Sequence, residues 1–119
     1  ELIKSDFFPF INNKSLFAMT AHIIYNSYDP NNTATHSKKI INIIRKKIGF
    51  KNIIMSDDIS MKSLKYSITK NTTQAFNSGC DLVLHCNGKY KEMLIVAKNS
   101  PLLSTFIIKK TSQLLNIIR

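Results

Sequence analysis

Residues 52–61 read "NIIMSDDISM". A short apolar run, Ile53 to Met55, ends in Ser56 and two adjacent acids, Asp57 and Asp58, before Ile59 and Met61 return to apolar character. A run of that length is too short for a buried helix and suits a strand. The acids are conspicuous because the chain has only 7 acidic residues against 17 basic ones. Three uses are open to such a pair: capping a following helix, binding a metal, or doing chemistry at a strand end. Capping before "ISMKSLK" is the ordinary use of Asp at such a place. A metal site lacks a nearby HxH or comparable ligand cluster.

The surrounding sequence repeats the strand theme. "LFAMTAH" (16–22) and "DLVLHCN" (81–87) are further strand candidates, the second almost continuous in apolar residues, as in a sheet covered on both faces. Each strand precedes a helical pattern. Between the first two, "YDPNNTATHS" reads as a loop in which Thr35 or Ser37 can cap the next helix. Ile40, Ile44 and Ile48 then recur every four residues, and Gly49 is placed as a C-cap. "KNTTQAFNSG" closes a second helix at Gly79, a short helix is expected near 90–98, and Pro101 breaks the chain before a terminal helix. In that last helix Leu103, Phe106, Ile107, Leu114 and Ile118 suit one buried face. The opening "ELIKSDFFPFIN" is expected to be helical up to Pro9.

Three strands, each followed by a helix, define parallel β/α units. Three such units leave two open sheet edges, and a closed eight-unit barrel needs about 250 residues. The expectation is therefore an α/β chain forming part of a (β/α)8 TIM barrel, about its last three units, with residues 1–119 as a single domain portion.

Composition bounds the function. An apolar content of 44% supports a core, and the longest apolar runs, about four to five residues, fall far short of the roughly twenty that cross a bilayer. No membrane partner is expected. The first residues carry Glu1 and Asp6 and lack the pattern of an export signal. The formal charge of +10 comes almost wholly from scattered Lys, with Arg only at 45 and 119, so no nucleic-acid partner is expected. Cys80 and Cys86 fit neither a CxxC motif nor a zinc knuckle and read as buried thiols of a cytoplasmic protein.

In a parallel barrel, reactive side chains sit at the C-terminal ends of strands. The three ends here deliver Thr20 and His22, then Ser56, Asp57 and Asp58, then His85, Cys86 and Asn87. Because neighbouring strand residues face opposite ways, one of the two acids is expected at the mouth and the other toward the loop. His22 and His85 each read first as hydrogen-bonded strand-end histidines. His36 is expected to be solvated in a polar loop, and Met19, Met55 and Met61 to pack in the core.

Four ordered blocks are more specific. Asp6, Pro9 and Phe10 match D-x-x-P-F, and Met19 to Pro30 match M-x-A-H-x-x-Y-x-x-x-D-P. Gly49 to Met61 match the G-F-x-G-x-x-x-S-D-D-L-x-M part of a third block, and Gly79 to Asn87 match G-C-D-x-x-L-x-C-N. In these blocks, over about residues 1–98, the chain resembles the bacterial β-N-acetylglucosaminidases of glycoside hydrolase family 3. It departs mildly, with Asn52 for Gly, Ile59 for Leu, Ser78 for Ala and Thr33 for Pro.

The resemblance implies that Asp57 is the nucleophile of a retaining glycosidase, forming a glycosyl-ester intermediate, with Asp58 holding the adjoining loop or strand. His22, Ser56 and Asp58 would form the substrate-pocket rim. It implies no metal and no organic cofactor, and a carbohydrate substrate, an N-acetylglucosaminyl-anhydromuramyl peptide of peptidoglycan recycling in the bacterial cytoplasm. The family's sugar-binding K-H-F-P-G-H-G segment and its D-S-H acid/base loop do not occur in this sequence and would precede Glu1. The chain is thus expected to be a C-terminal barrel fragment, inactive alone and a partner for an N-terminal barrel fragment. The alternative is a non-catalytic remnant of a split or decayed glycosidase gene.

Overall fold

The computed structural model describes residues 4–118. Three strands, β1 (Phe17–Met19), β2 (Ile53–Asp58) and β3 (Leu82–Leu84), form one sheet in the order β1-β2-β3, with both pairs parallel. The α/β architecture of consecutive parallel β/α units is therefore present. β1 and β3 are shorter than the apolar runs that announce them, while β2 runs on through both acids. β2 has a partner on each side and the other two have one, so the ladder persists longest at the centre.

After β1, the loop 20–37 leads through a single 3-10 turn, Ala34–His36, into α1 (Lys38–Ile43). The Ser37 hydroxyl caps α1 by accepting from the Ile40 N–H, so of the two expected caps Ser37 is the one used. The helix widens into a π-helical turn over Ile44–Ile48 and ends at Gly49, whose φ of 80° is the left-handed cap geometry. α2 (Ile68–Ser78) is capped by Ser67 and ends at Gly79. Gly79 is required twice over: its φ is 110°, and a Cβ there would stand 2.9 Å from Ile41 Cγ2. α3 (Tyr90–Asn99) and α4 (Thr105–Ile117) follow β3.

One face of the sheet is covered by these helices. Ile54 on β2 is completely buried with Ile41, Phe50, Ala75 and Cys80, and Ala18, Ile44 and Val83 pack against that cluster. At the N-terminal ends of the strands, the Arg45 guanidinium donates to the Phe50 and Asn52 carbonyls and to Asp81, whose carboxylate also accepts from Ile54 N–H. That ion pair joins the π-helical turn after α1 to the starts of β2 and β3. The molecule measures 42 × 40 × 21 Å, the thickness of a sheet with one helix layer rather than of a closed barrel.

Several expectations need correction. The described part of the opening stretch makes turns and a single 3-10 turn, Phe8–Phe10, around Pro9; the rest of the expected helix, residues 1–3, lies outside the described residues. In α4 only Ile107 is buried, and Leu103 and Ile118 are each 69% exposed, because a single layer leaves most of that helix without a partner. Met19 and Met61 are exposed rather than core. Ala18 takes the helix-covered side, so strand alternation turns Met19 to the opposite one. Of the cysteines, Cys80 is buried and Cys86 is exposed; both are free thiols. His36 is buried, its Nε2 donating to the Asn71 carbonyl at 3.2 Å, because the loop folds back under α2 instead of projecting into water. Burial pulls its pKa below the usual histidine value, against the Asn71 bond that raises it.

Candidate active site

The two acids close the middle strand and have different surroundings. Asp58 accepts from Ser60 N–H at 3.0 Å, from the Ser60 hydroxyl at 2.7 Å and from Cys86 N–H at 3.1 Å. Burial alone would raise its pKa, but these donors and the nearby His85 outweigh it and hold the carboxyl below its ordinary value. No helix begins between Asp58 and Ile68, so Asp58 holds a turn and the β3 exit rather than capping a helix.

Asp57 is half-buried. Its Oδ1 accepts from Asp58 N–H at 2.8 Å, and its Oδ2 accepts no hydrogen bond among the described residues. The acid that ends β2 one residue earlier thus keeps an oxygen unengaged. A bulge makes the difference possible. Met55 pairs with Leu82 but Asp58 pairs with Leu84, so β2 carries an extra residue opposite β3, and bulges re-aim side chains at strand ends.

Ser56 sits in that bulge, completely buried, with its Oγ accepting from Leu84 N–H at 3.0 Å. It stitches β2 to β3 and does not line a rim. This corrects its expected place, because a hydroxyl with no exposed surface cannot meet a sugar.

His22, half-buried at the end of β1, approaches the acids directly. Its Nε2 lies 2.9 Å from the Asp58 carbonyl oxygen and its Nδ1 lies 2.8 Å from the Thr35 hydroxyl. Thr35 is completely buried and meets the Thr20 hydroxyl at 2.8 Å. Asp29 makes this possible: it accepts from the Ser37 hydroxyl at 2.6 Å and from Asn31 and Asn32, folding the loop so that Thr35 returns to the β1 exit. The Ser37 hydroxyl, more than burial opposes it, keeps the Asp29 carboxyl below its ordinary pKa. The role of Thr35 is not visible in the sequence, where it stands 13 residues from His22. The only sequence signal near it is the D-P of Asp29 and Pro30.

On the β3 side, His85 Nε2 faces Glu92 at 3.2 Å, and Asn87 donates to the same carboxylate at 2.7 Å. His22, Ser56, Asp57 and Asp58 are thus gathered at the β2 exit, with His85, Cys86 and Asn87 beside them. No group of three or more His, Cys, Asp or Glu among the described residues is arranged to hold a metal ion. A cavity of about 440 Å³ lies against the outer edge of β1 and α1, lined by Phe7, Phe10, Phe17, Tyr25 and Ile40, and reaches Thr20 at the β1 exit. It does not include either acid, since three strands supply only part of the wall that a sugar pocket needs.

The family model of the glycosyl hydrolase family 3 N terminal domain matches residues 1–117. The chain is 38% identical over 92 residues to a beta-hexosaminidase of Nitrosomonas eutropha, covering 73% of this chain and 26% of that protein. It is 33% identical over 112 residues to one of Haemophilus influenzae, covering 85% of this chain and 32% of that protein. The chain therefore spans about a quarter to a third of the length of these relatives. Its fold superposes on the beta-N-acetylglucosaminidase of Thermotoga maritima with a TM-score of 0.64 at 31% identity, covering 73% of this chain and 20% of that one. A family 3 beta-N-acetylglucosaminidase of Paenibacillus, 21% identical, superposes with a TM-score of 0.65 over 85% of this chain and 21% of that one, a likeness of fold. Matched along almost its whole length, and with the four sequence blocks falling on the strands and exits described above, the chain belongs to glycosyl hydrolase family 3.

Proposed function

We propose that this chain contributes the nucleophile-bearing part of a retaining β-N-acetylglucosaminidase acting on peptidoglycan-derived muropeptides in the cytoplasm. Asp57 is the nucleophile. The observation that carries this reading is its carboxylate at the exit of the central parallel strand, half-exposed, with Oδ2 unengaged. Asp58 is committed to Ser60 and Cys86 and is the supporting neighbour.

In the first step Oδ2 of Asp57 forms a bond to the anomeric carbon while the glycosidic C–O bond breaks and its electron pair leaves with the aglycone oxygen. An acid supplied by another segment of polypeptide protonates that oxygen, an assistance commonly worth about 10²- to 10⁴-fold. Water then attacks the same carbon, giving its proton to the group that served as acid and is now a base, and the Asp57 carboxylate departs, so configuration is retained. Beta-hexosaminidase is the name carried by the Nitrosomonas and Haemophilus relatives, which supports the sugar class. The partner that supplies the acid would be the N-terminal portion of the barrel, seated along the open edge of β1.

The test uses a 2,4-dinitrophenyl N-acetyl-β-glucosaminide, whose leaving group departs without protonation. Incubated with the chain, it should leave one N-acetylhexosaminyl group on Asp57, found by peptide mass spectrometry, and Asp57→Asn should abolish the adduct. With an ordinary alkyl glycoside, turnover should require the N-terminal portion. No adduct in either setting, with or without that portion, would favour a non-catalytic remnant.

A further inference from the structure

We propose that His22 is a positioning residue, which fixes the Asp58–Ile59 peptide, one unit beyond the peptide that follows Asp57, by donating to the Asp58 carbonyl, and that Thr35 and Thr20 set the tautomer in which it does so. The inference rests on the reading of Asp57 as nucleophile for its functional meaning, but its geometry stands apart from it.

The direction of every bond is set by the chemistry of its atoms. A carbonyl oxygen only accepts, so Nε2 of His22, 2.9 Å from the Asp58 oxygen, carries the proton. In the neutral ring Nδ1 is then an acceptor, and the Thr35 hydroxyl at 2.8 Å donates to it. Thr35 has a single hydroxyl proton, so the Thr20 hydroxyl, 2.8 Å away, donates into Thr35 Oγ1. The result is one directed chain from Thr20 through Thr35 and His22 to the Asp58 carbonyl. The competing orientation sends the Thr35 proton to the Ala21 carbonyl at 3.3 Å, a longer bond. Thr20 is 4% exposed and Thr35 has no exposed surface, so bulk water offers neither a substitute partner.

The clamp acts where it matters for Asp57. The Asp58 unit is held from the β1 side by His22 and from the β3 side by Cys86 N–H on its carboxylate. The next amide, Ile59 N–H, donates to the Leu84 carbonyl at 2.9 Å. Asp58 N–H in turn donates to Asp57 Oδ1. The Asp58–Ile59 peptide therefore cannot rotate without breaking bonds to both neighbouring strands, and it anchors the residue whose N–H engages Asp57 Oδ1 and leaves Oδ2 unengaged among the described residues.

Two near-isosteric variants separate positioning from filling space. The amide nitrogen of a Gln at 22 reaches the place of Nε2 and keeps the bond to Asp58, whereas that of an Asn reaches only the place of Nδ1. Side-chain ¹⁵N NMR of the histidines, with His22 assigned by its loss in His22→Gln, should show His22 as a single Nε2–H tautomer, and Thr35→Val should convert it to a mixture. Hydrogen exchange of the Ile59 amide should accelerate about 5- to 10-fold in His22→Asn, the loss expected for one hydrogen bond, and stay within about 2-fold of the parent in His22→Gln. A mixed or Nδ1–H tautomer in the parent chain, or equal exchange in the two variants, would overturn the proposal. None of these readouts involves a sugar, so failure of the clamp and failure of Asp57 to trap a glycosyl group are separately visible.

Discussion

Replacing each of the adjacent acids by Ala distinguishes a carboxylate that holds the fold from one that does not. Asp58 accepts three hydrogen bonds, two of them backbone N–H groups at 3.0 and 3.1 Å and one the Ser60 hydroxyl at 2.7 Å. Bonds to a charged acceptor contribute about 1.5–3 kcal/mol each when isolated, but these share one half-exposed carboxylate and water can replace part of them. Asp58→Ala should therefore cost about 2–3 kcal/mol in total. Asp57 accepts a single bond from a neighbouring amide that water can reach, so Asp57→Ala should cost about 0.5 kcal/mol. An unfolding entropy of about 2.1 cal/mol/K per residue over 119 residues converts these to falls in Tm of about 8–12 °C and about 2 °C. The assay is thermal unfolding followed by circular dichroism at pH 7. The pH dependence adds a check on sign. The folded pKa of Asp58 is depressed, so its contribution is complete above the unfolded value of about 3.9 and is lost as pH falls through the lower folded value. The gap between parent and Asp58→Ala should accordingly be constant from pH 7 to about 5 and close in stronger acid. Equal destabilisation by the two substitutions, or a larger loss at Asp57, would refute the division of labour.

Other positions carry comparable expectations. Gly79→Ala meets both left-handed backbone strain and a Cβ 2.9 Å from Ile41, a buried β-branched residue on a helix with little rotamer freedom. It should cost about 2–4 kcal/mol, against about 1–2 kcal/mol for Gly49→Ala, which has nothing within 4 Å of its Cβ; similar Tm losses would remove the packing contribution. His36 is buried with a lowered pKa, so the unfolded chain takes up its proton first, and stability should decline as pH falls below about 6.5. In His36→Gln, urea unfolding at pH 7 and 5.5 should show a smaller difference in stability than in the parent; an unchanged difference would place the acid sensitivity elsewhere.

Local chemistry accounts for much that the sequence alone makes legible. Gly49 and Gly79 end helices because they supply positive φ, Ser37 starts one because its hydroxyl accepts an orphan N–H, and short Ile-, Met- and Leu-rich runs alternate with helical periods. Those signals act within a few residues, so the order of strands and helices and the parallel sheet could be read directly. The exits of the strands, and hence Thr20, His22, Asp57, Asp58 and His85 as one neighbourhood, followed from the same parallel arrangement.

Contacts between distant segments had no such signal. The sequence of "NNTATHS" is polar, yet Thr35 and His36 are buried, because Asp29 and Asn71 draw that loop under α2 and against β1. Whether a polar group is solvated depends on what folds over it. Ser56 looks like a rim hydroxyl until a bulge turns it into β3. Met19 and α4 look like core by composition, yet a single sheet with one helix layer leaves them exposed. The sequence by itself determined which acids close the central strand, because the short apolar run Ile53 to Met55 ends at them. Only the tertiary structure decided which of the two is tied down, because Cys86 and His22 reach Asp58 from opposite neighbouring strands, separated from it by 28 and 36 residues of chain.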